Sequence, residues 1–212
     1  MMLRLIPLAV LLSSSIAGAA IAKPDQPGYM QDVKFSTDAD RSRALLRDYA
    51  DCVVDRHPKA AIEWLALPLN EAGGEVQDFA NDVAPCSLGV AMKMRLVYLR
   101  GALFEAFYVK AVPSGDDPRP FHVAAYQPND VRALIACVAA KDLDGIEAYI
   151  RQTPGTSAEK AEVAKLMPAI RPCAIAANLP LPNISIFRAA VGEVLYRARF
   201  PDGPAASKEA GL

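Results

Sequence analysis

The sequence predicts an all-α protein of about eight helices, arranged as two tandem homologous four-helix repeats. The main observation is a long internal repeat, because the segment that begins at Asp51-Cys52-Val53 has a second copy that begins at Ala136-Cys137-Val138. The two copies are offset by 85 residues at their first Cys, by 87 at their second Cys and by 88 at Arg100 and Arg188. Apolar residues also recur at three- and four-residue steps, which is typical of amphipathic helices.

Each copy closes on a similar stretch. The first copy has Leu-Arg-Gly-Ala-Leu-Phe-Glu-Ala-Phe-Tyr at 99–108, and the second has Phe-Arg-Ala-Ala-Val-Gly-Glu-Val-Leu-Tyr at 187–196. Because the offsets differ by only a few residues, the copies differ by small insertions in connecting loops. A duplication is the economical explanation.

Four helices are predicted in the first copy. The first runs from about Thr37 to Arg56, with Thr37 or Asp38 as N-cap, and the second follows Pro58 and covers Ala60 to Leu67. The third covers Glu75 to Val83 and ends before Pro85, which places Cys86 just beyond it. The fourth runs from about Met94 to Lys110.

The second copy repeats this order. A helix begins at Pro128, Asp142 caps a short helix over Leu143 to Gln152, and Thr156 or Ser157 opens a helix that continues to Ala169. Asn183 caps a last helix to about Phe200. Two stretches, Gly89–Leu96 and Phe121–Tyr126, also fit a short strand or hairpin.

The N-terminus has the pattern of a secretory signal peptide. Arg4 precedes an apolar run from Leu5 to Leu12, and Ala20-Ile21-Ala22 forms a cleavage site before Lys23. We therefore expect a signal peptide at 1–22, an extension at 23–35, repeats at 36–111 and 128–200, a linker at 112–127 and a disordered tail at 201–212. The location expected is periplasmic or secreted, without stable membrane insertion after cleavage.

The composition is that of a folded protein without a strongly charged partner. Hydrophobic residues make up 52% of the chain, and the formal net charge is −1 with charges of both signs spread along it. A nucleic-acid partner is therefore not indicated. No cofactor is indicated either, since Gly-rich phosphate-binding motifs and the G-x-S-x-G elbow are missing.

Four cysteines, two in each copy, predict two disulfides in an exported chain. Pairing Cys52 with Cys86 and Cys137 with Cys173 lets each ancestral repeat be self-sufficient, whereas bridges between repeats remain an alternative. No pair has the C-x-x-C or H-x-x-x-H spacing of a zinc site, so no metal ligands are predicted.

The C-V, P-C and L-R-G-A-L-x-E-A-x-Y signatures resemble those of a set of exported alphaproteobacterial proteins. The likeness covers most of residues 44–200, and the second copy departs from it at Ala189 and Gly192. The resemblance implies export and a duplicated Cys-paired helical unit. It implies no activity.

The repeated polar residues are the strongest candidates for a site. They are Arg100, Glu105 and Tyr108 in the first copy and Arg188, Glu193 and Tyr196 in the second. One interpretation is a structural polar clasp, in which each Glu pairs with a Tyr hydroxyl or with an Arg of another helix. The other is a carboxylate pair, Glu105 with Glu193, that acts as acid and base or binds a divalent cation.

Aromatic residues also leave two interpretations open. Trp64, Phe104, Phe107 and Tyr108 suit a groove for a peptide or lipid, although residues at helical spacing more often form a core. We therefore expect a non-catalytic binding module of the cell envelope, whose partner is an unknown envelope protein or a small ligand. The alternative is a hydrolase or lyase that uses Glu105 and Glu193.

Overall fold

The structure is a computed structural model that describes residues 37–87, 95–112 and 120–201. Within these ranges the chain forms nine α-helices and no strand, which confirms the all-α prediction. The predicted signal peptide, the N-terminal extension, residues 113–119 of the linker and nearly all of the tail lie outside the described residues. The helices are α1 (Asp38–Arg56), α2 (Pro58–Ala66), α3 (Leu69–Ala72), α4 (Val76–Asp82), α5 (Leu96–Ala111), α6 (Val131–Lys141), α7 (Leu143–Ile150), α8 (Ser157–Ala176) and α9 (Ile184–Arg199).

Five helices begin at side-chain caps, and four of these caps are where the sequence predicts them. Thr37 accepts a hydrogen bond from the Asp40 backbone N–H at 3.1 Å and so begins α1. Four further caps are Asp130 for α6, Asp142 for α7, Thr156 for α8 and Asn183 for α9. The predicted start at Pro128 is therefore early, because Asp130 provides the cap and Pro128 lies in the preceding turn.

Two helices differ from the prediction. The four-residue helix α3 was not predicted, since one turn is too short to show a periodic apolar pattern. Helix α8 continues to Ala176, although Pro168 and Pro172 favour an earlier end. Both prolines face solvent, so water can satisfy the carbonyls that their missing N–H groups leave free. The inner stripe of α8 meanwhile continues without a break through Leu166, Ile170, Cys173 and Ala174.

The predicted strands are not found among the described residues. Phe121–Tyr126 has no regular structure and is tied to α9 by a hydrogen bond from the His122 N–H to the Ala198 carbonyl, at 2.9 Å. Of the stretch Gly89–Leu96, residues 89–94 lie outside the described part of the chain, and Leu96 begins α5.

Both predicted disulfides are present. Cys52 at the end of α1 pairs with Cys86 in a short 3-10 turn over Ala84–Cys86, and Cys137 of α6 pairs with Cys173 of α8. The Cα atoms are 5.7 Å apart in each bridge, within the usual range. Each bridge therefore joins two helices of one predicted repeat and leaves no free Cys in the described chain.

Helix α5 lies at the centre of the core. Every residue from Leu99 to Tyr108 is buried, which means that α5 is covered on all sides, chiefly by α9 and α1. The four aromatic residues proposed for a core or a groove, Trp64, Phe104, Phe107 and Tyr108, are each at most 3% exposed. The core interpretation therefore holds for their rings.

Small residues let α5 and α9 cross closely. A Cβ added to Gly101 of α5 would overlap the backbone of Ala189 on α9, and one added to Gly192 would lie 2.7 Å from the Gly101 carbonyl oxygen. Neither helix backbone has room to move, since both are packed on their other faces. The crossing thus requires glycine at Gly101.

We expect Gly101→Ala to destabilise the protein by about 3 kcal/mol, the upper end of the usual cost of overpacking, because the added methyl meets backbone atoms. Gly73→Ala is the matched control: Gly73 has helical angles and its added Cβ finds only ordinary contacts, beginning at 3.7 Å. Urea unfolding of both variants measures the difference. Equal stability of the two variants would contradict the close crossing.

Candidate functional site

Arg100 on α5 closes the C-terminal end of α2. Its guanidinium donates to the carbonyl oxygens of Trp64 at 3.2 Å and Leu65 at 2.9 Å, in the last turn of that helix. It also lies over the Trp64 ring, 5.4 Å from the ring centroid. A cation at this place satisfies free carbonyls and opposes the negative end of the helix dipole.

Arg188 on α9 does the same at the end of α7. It donates to the carbonyl oxygens of Ile150 at 2.8 Å and Gln152 at 2.7 Å, and it lies 5.3 Å from the ring centroid of Tyr149. The offset of 85 residues pairs Trp64 with Tyr149 and Leu65 with Ile150. The ring contact and one of the two carbonyl acceptors are thus equivalent in the two copies, which agrees with the predicted duplication.

The two arginines differ in their carboxylate partners. Arg188 donates to Glu105 at 2.9 and 2.5 Å and to Glu159 at 3.0 Å. Burial alone lowers the pKa of Arg188, but the adjacent Glu105 carboxylate outweighs it and the net direction is upward. Arg188 therefore stays charged, and the carboxylates of Glu105 and Glu159 compensate its buried charge.

Glu105 and Glu159 form the centre of what we call the inner ion cluster, with Arg43, Arg47 and Arg188 around them. Arg43 donates to both oxygens of Glu159 at 2.8 Å, and Arg47 of α1 also donates to Glu105. Glu159 is 0% exposed and also accepts from the Gly155 N–H at 2.7 Å. The cluster joins α1, α5, α8 and α9 by charge-assisted hydrogen bonds.

Arg100, by contrast, has no carboxylate within 4.0 Å among the described residues. It is only 7% exposed, and burial lowers its pKa. The charge of Glu193 acts upward on this pKa and that of Arg197 downward, without reversing the direction. A buried cation with carbonyl partners alone is incompletely compensated.

Glu193 binds two other arginines instead. It accepts from Arg132 of α6 at 3.2 Å and from Arg197 at 2.9 Å, and its side chain is 20% exposed. Arg132 corresponds to Arg47 at the offset of 85, so each repeated Glu contacts the equivalent Arg of its own repeat. Glu105 and Glu193 have no arginine partner in common in the described chain.

The repeated tyrosines are separate from the repeated glutamates. The Tyr108 hydroxyl donates to Glu147 of α7 at 2.5 Å, and burial followed by this hydrogen bond raises its pKa. Tyr196 lies among the rings of Phe104, Phe107 and Phe200. The glutamates thus have arginine partners, as one form of the clasp interpretation expects. Tyr108 instead contacts Glu147, which is not one of the repeated glutamates.

A groove of about 770 Å³ opens beside Arg100, between the end of α2, helix α3 and the outer face of α9. Phe104, Ala189, Ala190 and Tyr196 line its floor. Leu69 and Val97, which are 51% and 42% exposed, line it as well. Its charged lining residues are Arg100, Asp130, Arg132, Glu193 and Arg197.

Sequence reasoning missed several of these residues. Glu159 belongs to a Thr156-x-x-Glu159 capping pattern, which marks a helix start and could have shown that this Glu points back toward the chain before α8. Arg47 and Arg132 stand at the same place in the two copies, five residues before the first Cys of each. The repeat alignment could therefore have added them to the clasp.

The described residues form neither a metal-ligand cluster nor a membrane-spanning helix. No group of three or more His, Cys, Asp or Glu side chains in that part of the chain is placed to hold a metal ion. Across residues 37–87, 95–112 and 120–201, no helix has the length and apolar character needed to cross a membrane. Comparisons with protein-family models, curated proteins and solved structures find no match to this chain.

The two repeated glutamates should differ strongly in their effect on stability. Glu105→Gln removes the buried carboxylate that Arg188 and Arg47 share. We therefore expect the free energy of unfolding to fall by about 3–5 kcal/mol. Glu193→Gln removes the ion pairs with Arg132 and Arg197, whose side chains are exposed, and should cost less than about 1 kcal/mol. Chemical denaturation of the two variants measures both values, and similar losses would refute the inner ion cluster.

Asp48 on α1 provides a pH test. Its Oδ2 atom is buried and has no hydrogen-bond partner among the described residues, and burial, with the nearby Asp51 charge, raises its pKa to about 6. The folded protein thus holds this proton more tightly than the unfolded chain does. Stability should therefore fall as the pH rises from about 4 to about 6, and the loss persists at neutral pH.

Asp48→Asn should remove this loss. Because the carboxyl is only half-buried, we expect a gain of about 1 kcal/mol, or about 2–4 °C in melting temperature, at neutral pH and none near pH 4. Thermal unfolding from pH 4 to pH 7 measures it, with the exposed Asp82→Asn as control. A constant difference between Asp48→Asn and the unmodified protein over this range would contradict the account.

Proposed function

We propose that this protein is a non-catalytic binding module of the cell envelope that takes a small ligand in the groove beside Arg100. The observation that carries the proposal is the groove itself: about 770 Å³, with an apolar floor and a few charged side chains at its walls. Small-molecule sites have this composition and volumes of about 300–1,000 Å³. A concave site favours a small ligand over an envelope protein as the partner.

The envelope location rests on three supports. Two disulfides are compatible with a periplasmic or extracellular protein, since such bonds persist in oxidising compartments. The signal-peptide pattern at 1–22 and the resemblance to exported alphaproteobacterial proteins point in the same direction. We therefore propose that the ligand is met outside the cytoplasm.

A hydrolase or lyase that uses Glu105 and Glu193 is the alternative function. Such an enzyme needs two carboxyl groups about 5–10 Å apart that both reach the substrate. Glu105 is 2% exposed, and both of its oxygens accept hydrogen bonds from Arg188. This burial weighs against the alternative, and no contact of the two glutamates favours it.

The groove proposal predicts binding of a neutral apolar dye, N-phenyl-1-naphthylamine, to the protein. Leu69→Asp combined with Val97→Asp places charge at two exposed positions of the groove, so dye affinity should fall at least about tenfold. Ile175→Asp is the matched control, because Ile175 is 81% exposed on α8 and does not line the groove. Dye fluorescence measures binding.

Binding that is absent from the unmodified protein, or that falls equally in the Ile175→Asp control, would contradict the proposed function. All three substituted side chains are exposed in the folded protein, so these variants are expected to fold. Circular dichroism checks that they do.

A further inference from the structure

The charges that line the groove do not balance. Three arginines, Arg100, Arg132 and Arg197, face two carboxylates, Asp130 and Glu193. Arg132 binds both carboxylates, at 2.5 Å and 3.2 Å, and Arg197 binds Glu193 at 2.9 Å. The remaining positive charge is that of Arg100.

Arg100 also has unused hydrogen-bond donors. A guanidinium carries five N–H groups, and Arg100 uses one on each Nη for the Trp64 and Leu65 carbonyls. Its Nε–H and one further N–H on each Nη have no acceptor among the described residues. Arg100 is 7% exposed and is one of the residues that line the groove.

The equivalent position in the second repeat shows which groups pair with such a buried arginine. Arg188 also donates to two carbonyl oxygens, of which that of Ile150 is equivalent to that of Leu65, and it makes the same ring contact. Unlike Arg100, it is paired with the carboxylates of Glu105 and Glu159. In the first repeat, offsets of 85 to 87 place Ala72, Gly73 and Gly74 where Glu159 stands in the second. No side chain of these three residues can supply a carboxylate.

The rest of the groove is apolar. Its apolar lining includes Leu65, Leu69 and Val97, together with Ile186 and Ala190 of α9. Apolar side chains as exposed as Leu69 and Val97 beside a buried cation suit a ligand with an acidic head and an apolar body.

We propose that the groove binds a small amphipathic carboxylate, whose acidic group takes at Arg100 the place that Glu159 holds at Arg188, while its apolar body covers Leu69 and Val97. This inference rests on the proposed function and names the ligand class of the same groove. An acidic peptide is a different occupant, which the test separates.

Three probes with the same tail test the headgroup: decanoate, decanol and decyltrimethylammonium. Titration calorimetry measures their affinities, and fluorescence of Trp64 reports occupancy, because this is the one Trp in the chain and it lies under Arg100. At neutral pH we expect decanoate to bind at least about tenfold more tightly than decanol and decyltrimethylammonium more weakly than decanol. An acetylated tetraglutamate should not compete.

Variants assign the preference to the arginine. Arg100→Met should abolish the preference, so that decanoate and decanol bind to this variant with similar affinity, whereas the exposed Arg171→Met should keep the preference. Because Arg100 also holds the end of α2, the fold of Arg100→Met is checked first. Should it not fold, Glu193→Gln decides, since loss of a negative charge in the groove should raise the decanoate affinity about threefold.

The outcomes separate the two proposals. If no probe binds, the proposed function fails and this inference fails with it. If decanol binds as tightly as decanoate, or if folded Arg100→Met keeps the preference, the groove remains a binding site and the carboxylate inference is overturned. Displacement of decanoate by the acidic peptide would also overturn it in favour of a peptide ligand.

Discussion

The close crossing of α5 and α9 is the constraint on which the rest of the structure depends. Glycine at 101 lets the helix backbones meet, and this proximity brings Glu105 of one helix within hydrogen-bond distance of Arg188 on the other. A buried ion pair of this kind contributes little net stability by itself, because desolvation opposes the attraction. It does favour one register, since a slip would separate these two buried charges from each other. The α1 and α8 helices are then positioned by Arg47 and Glu159, which complete the same cluster.

Two arginines with one structural task have different surroundings. Arg100 and Arg188 each close a helix end and contact an aromatic ring, which are roles that one ancestral helical unit would need on its own. Only Arg188 is surrounded by carboxylates of the chain, whereas Arg100 lies beside a groove. On our proposal, this difference between the copies is the origin of function: one copy stabilises the protein, and the other leaves an equivalent place for a ligand.

The helices and disulfides could be predicted because their signals are local. Thr37, Asp142 and Asn183 mark helix starts, and the repeat itself indicates which cysteines pair. The extension of α8 beyond Ala169 and through Pro172 could not be predicted, since it depends on which face of the helix meets solvent. The repeated Arg and Glu were identified from the sequence, but their partners were not. The pairing of Glu105 with Arg188, and the exclusion of Arg100 from it, follow from a helix crossing that no local pattern describes.

A crystal structure of the protein with a brominated decanoate tests the central claim most directly, because anomalous scattering locates the bromine without ambiguity. The account predicts carboxylate oxygens within hydrogen-bond distance of Arg100, the bromine between Leu69 and Val97, and Arg188 still bound to Glu105 and Glu159. A ligand found elsewhere, or an Arg100 paired directly with Glu193 in a closed groove, would contradict it.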